Sequence, residues 1–283
     1  IIKVKKKNLI VGAAIGTNKD DLVRAKLLFD QGIDLIVIDT AHGHSKKVID
    51  TLKNIKKINQ KIPVCVGNIA TAEAAKLLYN EGADILKVGI GPGSICTTRM
   101  IAGIGVPQIT AILNVKNALK KKNIKIISDG GIKFSGDAVK ALAAGADAIM
   151  MGSIFAGTDE SPGKKFKIKN RFYKIYRGMG SIGAMSSGSA NRYFQDYNKD
   201  KSKFVPEGVE GRVPYKGSVS DIIYQLQGGL RSSMGYIGAK KIKELNKKAK
   251  FIKITKAGFY ESMVHSVEVI DKDLKFKLWK KFY

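Results

Sequence analysis

The chain has 283 residues, 44% of them apolar, which suffices for one large α/β domain with a sizeable core. Its two cysteines offer no disulfide framework, and no signal peptide or membrane-spanning apolar stretch is recognisable, so disulfide-rich secreted and membrane proteins are excluded and a reducing, cytoplasmic compartment is predicted. The net charge of +26 suggests nucleic-acid binding, but the lysines are scattered without interleaved aromatic residues, which argues against a specific nucleic-acid site; the charge should still attract anionic metabolites such as nucleotides.

Short β-branched runs alternate with helical segments up to Gly152. The predicted strands are Leu9–Ile15, Leu35–Asp39, Val64–Asn68, Ile85–Gly89, Ile124–Asp129 and Ala148–Gly152. The predicted helices are Lys19–Gln31, Ser45–Asn59, Ala72–Glu81 and Gly136–Ala144. Glycines that suit a left-handed helix cap precede three of the strands, at Gly32, Gly82 and Gly145. Repeated βα units with short loops imply a parallel sheet.

An open Rossmann sheet and a closed barrel both fit this alternation. Glycine and polar residues end nearly every predicted strand, in the segments 39–43, 67–68, 89–91, 129–131 and 152–153. A ring of functional loops at one face favours a (βα)8 TIM barrel. Because the chain supplies six strands and a closed barrel needs eight, we expect the first two strands to be missing from it.

The βα alternation breaks after Gly152. Residues 157–217 are rich in Gly, Ser, Lys and Tyr with weak periodicity, and a helix is predicted from Ser218 to about Tyr236. A long insertion between a strand and its helix is often a lid. We therefore expect barrel units at 1–156, a mobile flap at 157–217, and the last barrel helix with a C-terminal segment at 218–283.

Cys96 is the strongest candidate for a reactive group. It follows the run Gly91-Pro92-Gly93-Ser94-Ile95, where glycines permit a tight turn and close approach to a ligand, directly after a predicted strand. A polar, accessible loop favours a nucleophilic thiol over a structural one. The second cysteine, Cys65, lies in an apolar run and is expected to be inert core.

Other motifs have a functional and a structural interpretation. Asp129-Gly130-Gly131 and Gly152-Ser153 end the last two predicted strands, where barrels often bind phosphate; Asp129 suits a ribose diol or a helix N-cap. The G-x-G-x-x-G run at 178–183 lies in polar, irregular sequence and is not interpreted as a dinucleotide fingerprint; residues 176–178 suit backbone contacts to a ligand. The segment 191–194 is most simply a surface turn.

Together these motifs resemble the IMP dehydrogenase family. The matching segments are Gly-Pro-Gly-Ser-Ile-Cys-Thr-Thr (91–98), Asp-Gly-Gly-Ile (129–132), Tyr-Arg-Gly-Met-Gly-Ser (176–181), Arg-Tyr-Phe (192–194) and the run from Pro206 to Gly217. The resemblance implies a barrel enzyme that oxidises IMP to XMP with NAD, in guanine nucleotide synthesis, through a covalent intermediate on Cys96. The family's regulatory CBS pair is not seen in this sequence.

The resemblance also implies roles for individual residues. It places IMP against Ser94, Asp129, Gly130, Gly131, Gly152, Ser153, Tyr176, Gly178, Met179, Gly180 and Glu207. It places NAD near Asp39, Ala41, His42, Asn68, Gly89 and Gly91. Arg192 and Tyr193 correspond to a flap pair that enters after NADH leaves, and Arg192 would activate water beside Thr98.

A potassium site and a homotetramer are implied as well. Carbonyls of Gly91, Gly93 and Cys96 would form half of the potassium site, and Glu261, Ser262 and Met263 of a neighbouring subunit the other half. Ser262 and Met263 stand where the family often has glycines.

Two rival functions remain open. GMP reductase shares the Gly-Ser-Ile-Cys-Thr-Thr loop but runs a reductive deamination with NADPH and lacks the Arg192-Tyr193 pair, so the pair favours the dehydrogenase. The net charge of +26 motivates the second rival, a basic nucleotide- or nucleic-acid-binding protein without turnover.

Overall fold

The computed structural model describes residues 10–120, 122–195 and 200–266. Six strands alternate with helices along its first half: β1 (Gly12–Ile15), β2 (Leu35–Asp39), β3 (Val64–Ile69), β4 (Ile85–Val88), β5 (Lys125–Asp129) and β6 (Ala148–Met150). The helices are α1 (Lys19–Asp30), α2 (Lys46–Ile58), α3 (Ala72–Asn80), α4 (Thr98–Ile101), α5 (Gln108–Ala118) and α6 (Ser135–Ala144). The predicted strand residue Leu9 and the segments 1–9 and 267–283 lie outside the described residues.

The six strands form one parallel sheet in the order β1-β2-β3-β4-β5-β6. Each strand pairs with the one that precedes it along the chain, whereas a doubly wound Rossmann sheet reverses its strand order at a switch point. The sequential order is that of a βα barrel, and the predicted fold class is confirmed as six parallel strands of such a barrel.

The two faces of the sheet differ in chemistry because side chains alternate along each strand. Ile36 and Ile38 of β2, Leu86 of β4 and Ile126 of β5 are buried in the core under the helices. The intervening positions, which include Asp39, Lys87 and Asp129, lie on the opposite face. Helix α5, which the sequence analysis missed, adds Ala111, Ile112 and Val115 to the same core at the spacing of one helix face.

A repeated device closes three of the helix-to-strand turns. Gly32, Gly82 and Gly145 have φ of +73°, +96° and +118°, so the predicted left-handed caps are confirmed. The aspartate two residues later then bonds to the preceding strand: carboxylates of Asp34, Asp84 and Asp147 accept from the amides of Val11 (2.9 Å), Val64 (2.8 Å) and Ile126 (3.0 Å). These clamps fix the register at the amino ends of the strands.

We expect Asp84→Ala to lower the free energy of unfolding by about 1–3 kcal/mol, measured by urea denaturation. The reason is that the Asp84 carboxylate accepts from the Val64 amide at 2.8 Å and pairs with Lys56 at 2.6 Å. Asp84→Asn retains an acceptor and should lose less. The exposed Asp50→Ala is the control and should change stability by no more than about 0.5 kcal/mol; an Asp84→Ala protein as stable as this control would contradict the clamp.

The insertion contains a three-stranded antiparallel sheet, which the weak periodicity failed to predict. Its strands are β7 (Lys165–Ile168), β8 (Arg171–Arg177) and β9 (Glu210–Pro214), in the order β7-β8-β9. Lys169 and Asn170 form a two-residue hairpin turn with φ of +42° and +60°. Lysine alternates with Phe166 and Ile168 in β7, a pattern typical of a strand with one apolar face, although the lysines make the segment look polar throughout.

Helices end the described chain. A short helix, α7 (Ile182–Ser186), and two 3-10 segments precede β9, and α8 (Val219–Ile237), α9 (Ile242–Lys248) and α10 (Lys256–Glu261) follow it. Helix α8 corresponds to the predicted helix from Ser218, and a small cluster that includes Val139, Ala143 and Leu245 joins α6 to α9. Among the described residues, no helix combines the length and apolarity needed to cross a bilayer.

Candidate active site

Cys96 lies on the glycine-rich loop between β4 and α4 and is partly exposed. Its thiol donates a hydrogen bond to Thr98 Oγ1 (3.1 Å), and its amide donates to the Gly93 carbonyl (3.2 Å). The thiol is therefore in a polar loop at the carboxyl end of a strand, where a ligand can reach it.

Segments far apart in sequence hold this loop in place. Residues 95–97 lie against 207–209, and 207–209 in turn lie against 178–180. Four backbone hydrogen bonds make these connections: Thr97 N to Glu207 O (3.0 Å), Val209 N to Ile95 O (3.0 Å), Glu207 N to Gly180 O (3.0 Å) and Gly178 N to Val209 O (2.9 Å). The predicted IMP-binding residues Gly178, Gly180 and Glu207 are thus brought next to the cysteine loop.

Cys65 is completely buried in β3, so its prediction as a core residue is confirmed. Burial raises the pKa of its thiol to about 12. The thiolate form needed for nucleophilic attack is therefore negligible at neutral pH.

Three of the predicted nucleotide-binding residues come together around a fourth, Tyr176. Its phenol is hydrogen-bonded to Ser94 and is close enough to Asp129 to respond to that charge. A Cβ at Gly152 would lie only 2.6 Å from the Tyr176 hydroxyl, so glycine is needed for this contact. Burial raises the pKa of Tyr176, which keeps the phenol neutral and able to donate a hydrogen bond.

The Asp129-Gly130-Gly131 turn packs on the cysteine loop. Gly130 and Gly131 have φ of +87° and +79°, and Cβ atoms there would meet the Pro92 ring at 3.1 and 3.3 Å. Helix α6 takes Phe134 as its N-cap, which excludes the structural interpretation of Asp129 as the cap of that helix. Ser153 begins the turn after β6, partly exposed.

The surroundings of the G-x-G-x-x-G run were predicted wrongly. Strand β8 ends at Arg177 directly before it and helix α7 follows, so it is not irregular sequence. The strand belongs to an antiparallel sheet and the helix has only five residues. The run therefore lacks the βαβ unit that a dinucleotide fingerprint requires.

Arg192 and Tyr193 lie in a 3-10 segment (Ser189–Tyr193) that is seated on the barrel, and the interpretation as a surface turn is wrong. The Arg192 guanidinium forms an ion pair with Asp39, and the Arg192 carbonyl accepts from the Ala41 amide (3.0 Å). The Tyr193 ring lies against Gly180, where a Cβ would be 2.8 Å from Cζ. The pair therefore occupies the space beside the predicted dinucleotide residues.

The Asp39 carboxylate is charged. Burial alone would raise its pKa, but Lys87 and Arg192 together hold the pKa below its usual range. Burial would likewise lower the pKa of Arg192, and pairing with Asp39 instead raises it. Burial raises the pKa of Tyr193, which lies beside Arg192. Lys87 was missed by the sequence analysis; the signal was a lysine inside the otherwise apolar strand 85–88.

The other predicted cofactor residues surround the same strand ends. Asn68 donates to the Gly89 carbonyl (2.7 Å) and to Asp129 Oδ2 (2.9 Å), and His42 is exposed. A cavity of about 380 Å³ opens between the barrel and the insertion. Its lining includes Gly16, Asp21, Asp39, Asn191 and Arg192.

The loop cysteine, the glycine turns and the partly buried Arg192–Asp39 ion pair agree with what a family comparison of the whole domain finds. The sequence profile of the IMP dehydrogenase / GMP reductase domain matches residues 1–265. The chain belongs to this family.

Similar proteins include both IMP dehydrogenases and a GMP reductase. An inosine-5′-monophosphate dehydrogenase from Aquifex aeolicus is 57% identical over 262 residues, which is 92% of this chain and 53% of that protein. One from Staphylococcus aureus is 57% identical over 261 residues with the same coverage. A GMP reductase variant from Trypanosoma brucei, crystallised with guanosine 5′-monophosphate, superposes with a TM-score of 0.84 at 46% identity, covering 92% of this chain and 53% of that one. The chain thus spans about half the length of these relatives.

The residues predicted for potassium lie in two places in this family member. Gly91, Gly93 and Cys96 share the loop after β4, where Gly91 has φ of +78°. Glu261, Ser262 and Met263 are at the end of α10, and the amides of Ser262 and Met263 donate within that helix, to Gly258 (3.1 Å) and Tyr260 (3.0 Å). The loop carbonyls are neutral oxygen donors, the ligand type that hard cations prefer.

Proposed function

We propose that this protein oxidises IMP to XMP with NAD, with Cys96 as the nucleophile. The observation that supports this most is the position of Arg192 and Tyr193. Arg192 is paired with Asp39, and Tyr193 packs on Gly180 in the segment hydrogen-bonded to the cysteine loop. A water-activating pair is needed by an enzyme that hydrolyses a covalent intermediate, and it has no role in a reductive deamination.

The chemistry proceeds in two stages on Cys96. The thiolate adds to C2 of the hypoxanthine ring, and C2 then loses its hydrogen with both bonding electrons, which leaves a thioimidate between C2 and the sulfur. NAD, when bound, supplies the acceptor for that hydride. Water next adds to C2, the C–S bond breaks, and XMP is released as the thiol is restored. Thr98, which is hydrogen-bonded to the thiol, would contact the attacking water.

IMP would be held by the cluster around Tyr176 and the glycine turns. Ser94, Gly152, Ser153 and Tyr176 would contact its phosphate, with amides of the 130–131 turn, and Asp129 its ribose. Met179, with Gly178, Gly180 and Glu207, would contact the base. The neutral phenol of Tyr176 supports this assignment, because it can donate a hydrogen bond to an anionic phosphate.

The dinucleotide would lie beside Asp39, with Ala41, His42, Asn68, Gly89 and Gly91 nearby. The residues fit such a ligand: Asp39 is an ionised carboxylate that can accept from a ribose diol, and it borders the cavity of about 380 Å³. In this structure the Asp39 carboxylate is paired with Arg192. The segment 157–217 would therefore act as a flap, and its Arg192 and the dinucleotide would bind to Asp39 in turn.

Potassium and a homotetramer complete the proposal. Carbonyls of Gly91, Gly93 and Cys96 would hold the ion from one subunit, and Glu261, Ser262 and Met263 of a neighbouring subunit would close the site. The ion would steady the cysteine loop and supply no group to the reaction.

The test is to incubate the purified protein with IMP and NAD and to follow NADH by its absorbance. We expect NADH and XMP in equal amounts, because each turnover releases one of each. Intact-mass spectrometry during turnover should show a nucleotide adduct on the chain. Activity only with GMP and NADPH would identify a reductase and overturn the proposal.

The binding-protein alternative makes a different forecast. Without turnover, binding to arbitrary DNA would fall steeply with salt concentration and would be unaffected by IMP. That pattern, together with no NADH, would favour the alternative over both enzymes.

A further inference from the structure

We propose that Lys87 is a positioning residue that holds the two ribose-binding carboxylates, Asp39 and Asp129, with one ammonium group. The inference rests on the proposed function, because it assigns those carboxylates to the ribose of NAD and the ribose of IMP. Lys87 would thereby couple the two substrate sites.

Lys87 is only 1% exposed, and its ammonium contacts side chains from three other strands. Nζ lies 2.8 Å from Asp39 Oδ1 on β2 and 2.7 Å from Asp129 Oδ2 on β5, and it donates to Asn68 Oδ1 on β3. A buried ammonium is costly unless it is paired and fully hydrogen-bonded. The ammonium thus donates hydrogen bonds to Asn68 and Asp129 and forms an ion pair with Asp39, all of them residues of the site.

The register of the sheet explains how one side chain reaches two strands away. Asp39 pairs with Gly67, and Gly67 pairs with Lys87, so the three lie in one row across β2, β3 and β4 on one face. A Cβ at Gly67 would lie 2.6 Å from Lys87 Cβ. Because Gly67 has no side chain, the lysine stem can pass over β3 to Asp39.

The two carboxylates contact Lys87 in different ways. Asp39 uses Oδ1 for Lys87, whereas Oδ2 pairs with Arg192. Asp129 receives both Lys87 and Asn68 on Oδ2, and within the described residues Oδ1 accepts no hydrogen bond. When Arg192 leaves, Lys87 still orients Asp39 with Oδ2 free for a ribose hydroxyl.

The balance of charge at the site supports a positioning role for Lys87 throughout the reaction. Asp39 and Asp129 carry two negative charges, and Lys87 and Arg192 supply two positive ones. Arg192 belongs to the proposed flap, so Lys87 is the cation that remains when the dinucleotide is bound. Removing it would leave two carboxylates that repel each other across one site.

The test compares Lys87→Gln and Lys87→Met with Lys87→Arg. We expect the neutral variants to raise the KM of both IMP and NAD by at least about tenfold, whereas Lys87→Arg restores both to within about threefold of the parent. Lys56→Met is the matched control: that ammonium binds Asp84 (2.6 Å) and the Ile62 carbonyl (3.1 Å) at the opposite end of the strands. It should lower the unfolding temperature without changing either KM.

A second measurement leaves Lys87 intact. Through Lys87, Asp39→Asn should weaken IMP binding and Asp129→Asn should weaken NADH binding, each by several-fold, measured by calorimetry in a Cys96→Ala background. The proposal would be overturned if the neutral Lys87 variants changed only kcat or the folded fraction. It would also be overturned if Asp39→Asn changed only NADH binding and Asp129→Asn changed only IMP binding. Failure of the proposed function is distinguishable, because the parent protein would then lack IMP oxidation altogether.

Discussion

Cys96→Ala is expected to abolish formation of NADH and XMP while IMP still binds with a dissociation constant within about threefold of the parent value. The nucleophile makes the bond on which both chemical stages depend, so its loss should lower kcat by at least about a thousandfold. The proposed nucleotide contacts come instead from the Tyr176 cluster and the glycine turns, which the substitution leaves in place. Steady-state absorbance of NADH and calorimetry with IMP measure the two quantities.

Cys65→Ala is the matched control for this experiment. Cys65 is completely buried, and its pKa of about 12 keeps the thiol protonated, so its removal should leave turnover within about twofold. Intact mass after incubation with IMP and NAD should show an adduct on Cys65→Ala protein and none on Cys96→Ala protein. Turnover that persists in Cys96→Ala would refute the assignment of the nucleophile.

Local signals were enough to predict which residues meet at the candidate site. Glycine caps such as Gly32 and Gly82 mark the helix ends, and the strands that follow them are parallel. Because parallel strands place their carboxyl ends at one edge, polar residues at the ends of β2 and β5 and in the loop after β4 had to meet there. This is why Asp39, Cys96 and Asp129 could be assigned to one site from the sequence.

Long-range contacts could not be predicted in the same way. Lys87 reads locally as one polar residue in an apolar strand, and only the register that puts it beside Gly67 reveals its reach to Asp39. Arg192 is 153 residues from Asp39 along the chain, and nothing near it in sequence indicates a barrel contact. In β7 lysine alternates with an apolar residue, which is a strand pattern, but the high charge of the segment led to its prediction as irregular structure.

Arg192→Ala is expected to slow hydrolysis of the covalent intermediate by about 10²–10⁴-fold while hydride transfer stays within about tenfold. Arg192 is paired with Asp39, the proposed ribose ligand of the dinucleotide, so we expect it to act in the stage after NADH leaves. Rapid mixing with IMP and NAD should therefore give one burst of NADH per active site, followed by stalled turnover and an adduct visible by intact mass.

Arg212→Ala is the matched control, since Arg212 lies in β9 with its guanidinium 5.2 Å from the Tyr173 ring, away from Asp39. It should leave both stages unchanged. Equal slowing of both stages in Arg192→Ala would contradict a role confined to hydrolysis.

The pairing with Asp39 also limits how Arg192 can act on water. While the ion pair is formed, Asp39 holds the pKa of Arg192 above its usual value. The side chain therefore stays protonated and cannot act as the base that takes a proton from water. It can still orient a water and stabilise negative charge as that water attacks C2. If proton acceptance is required, Arg192 must first leave Asp39, and Asp39→Asn should then speed hydrolysis. If Arg192 works by being held in place, the same substitution should slow hydrolysis, because the ion pair that holds Arg192 on the barrel is lost.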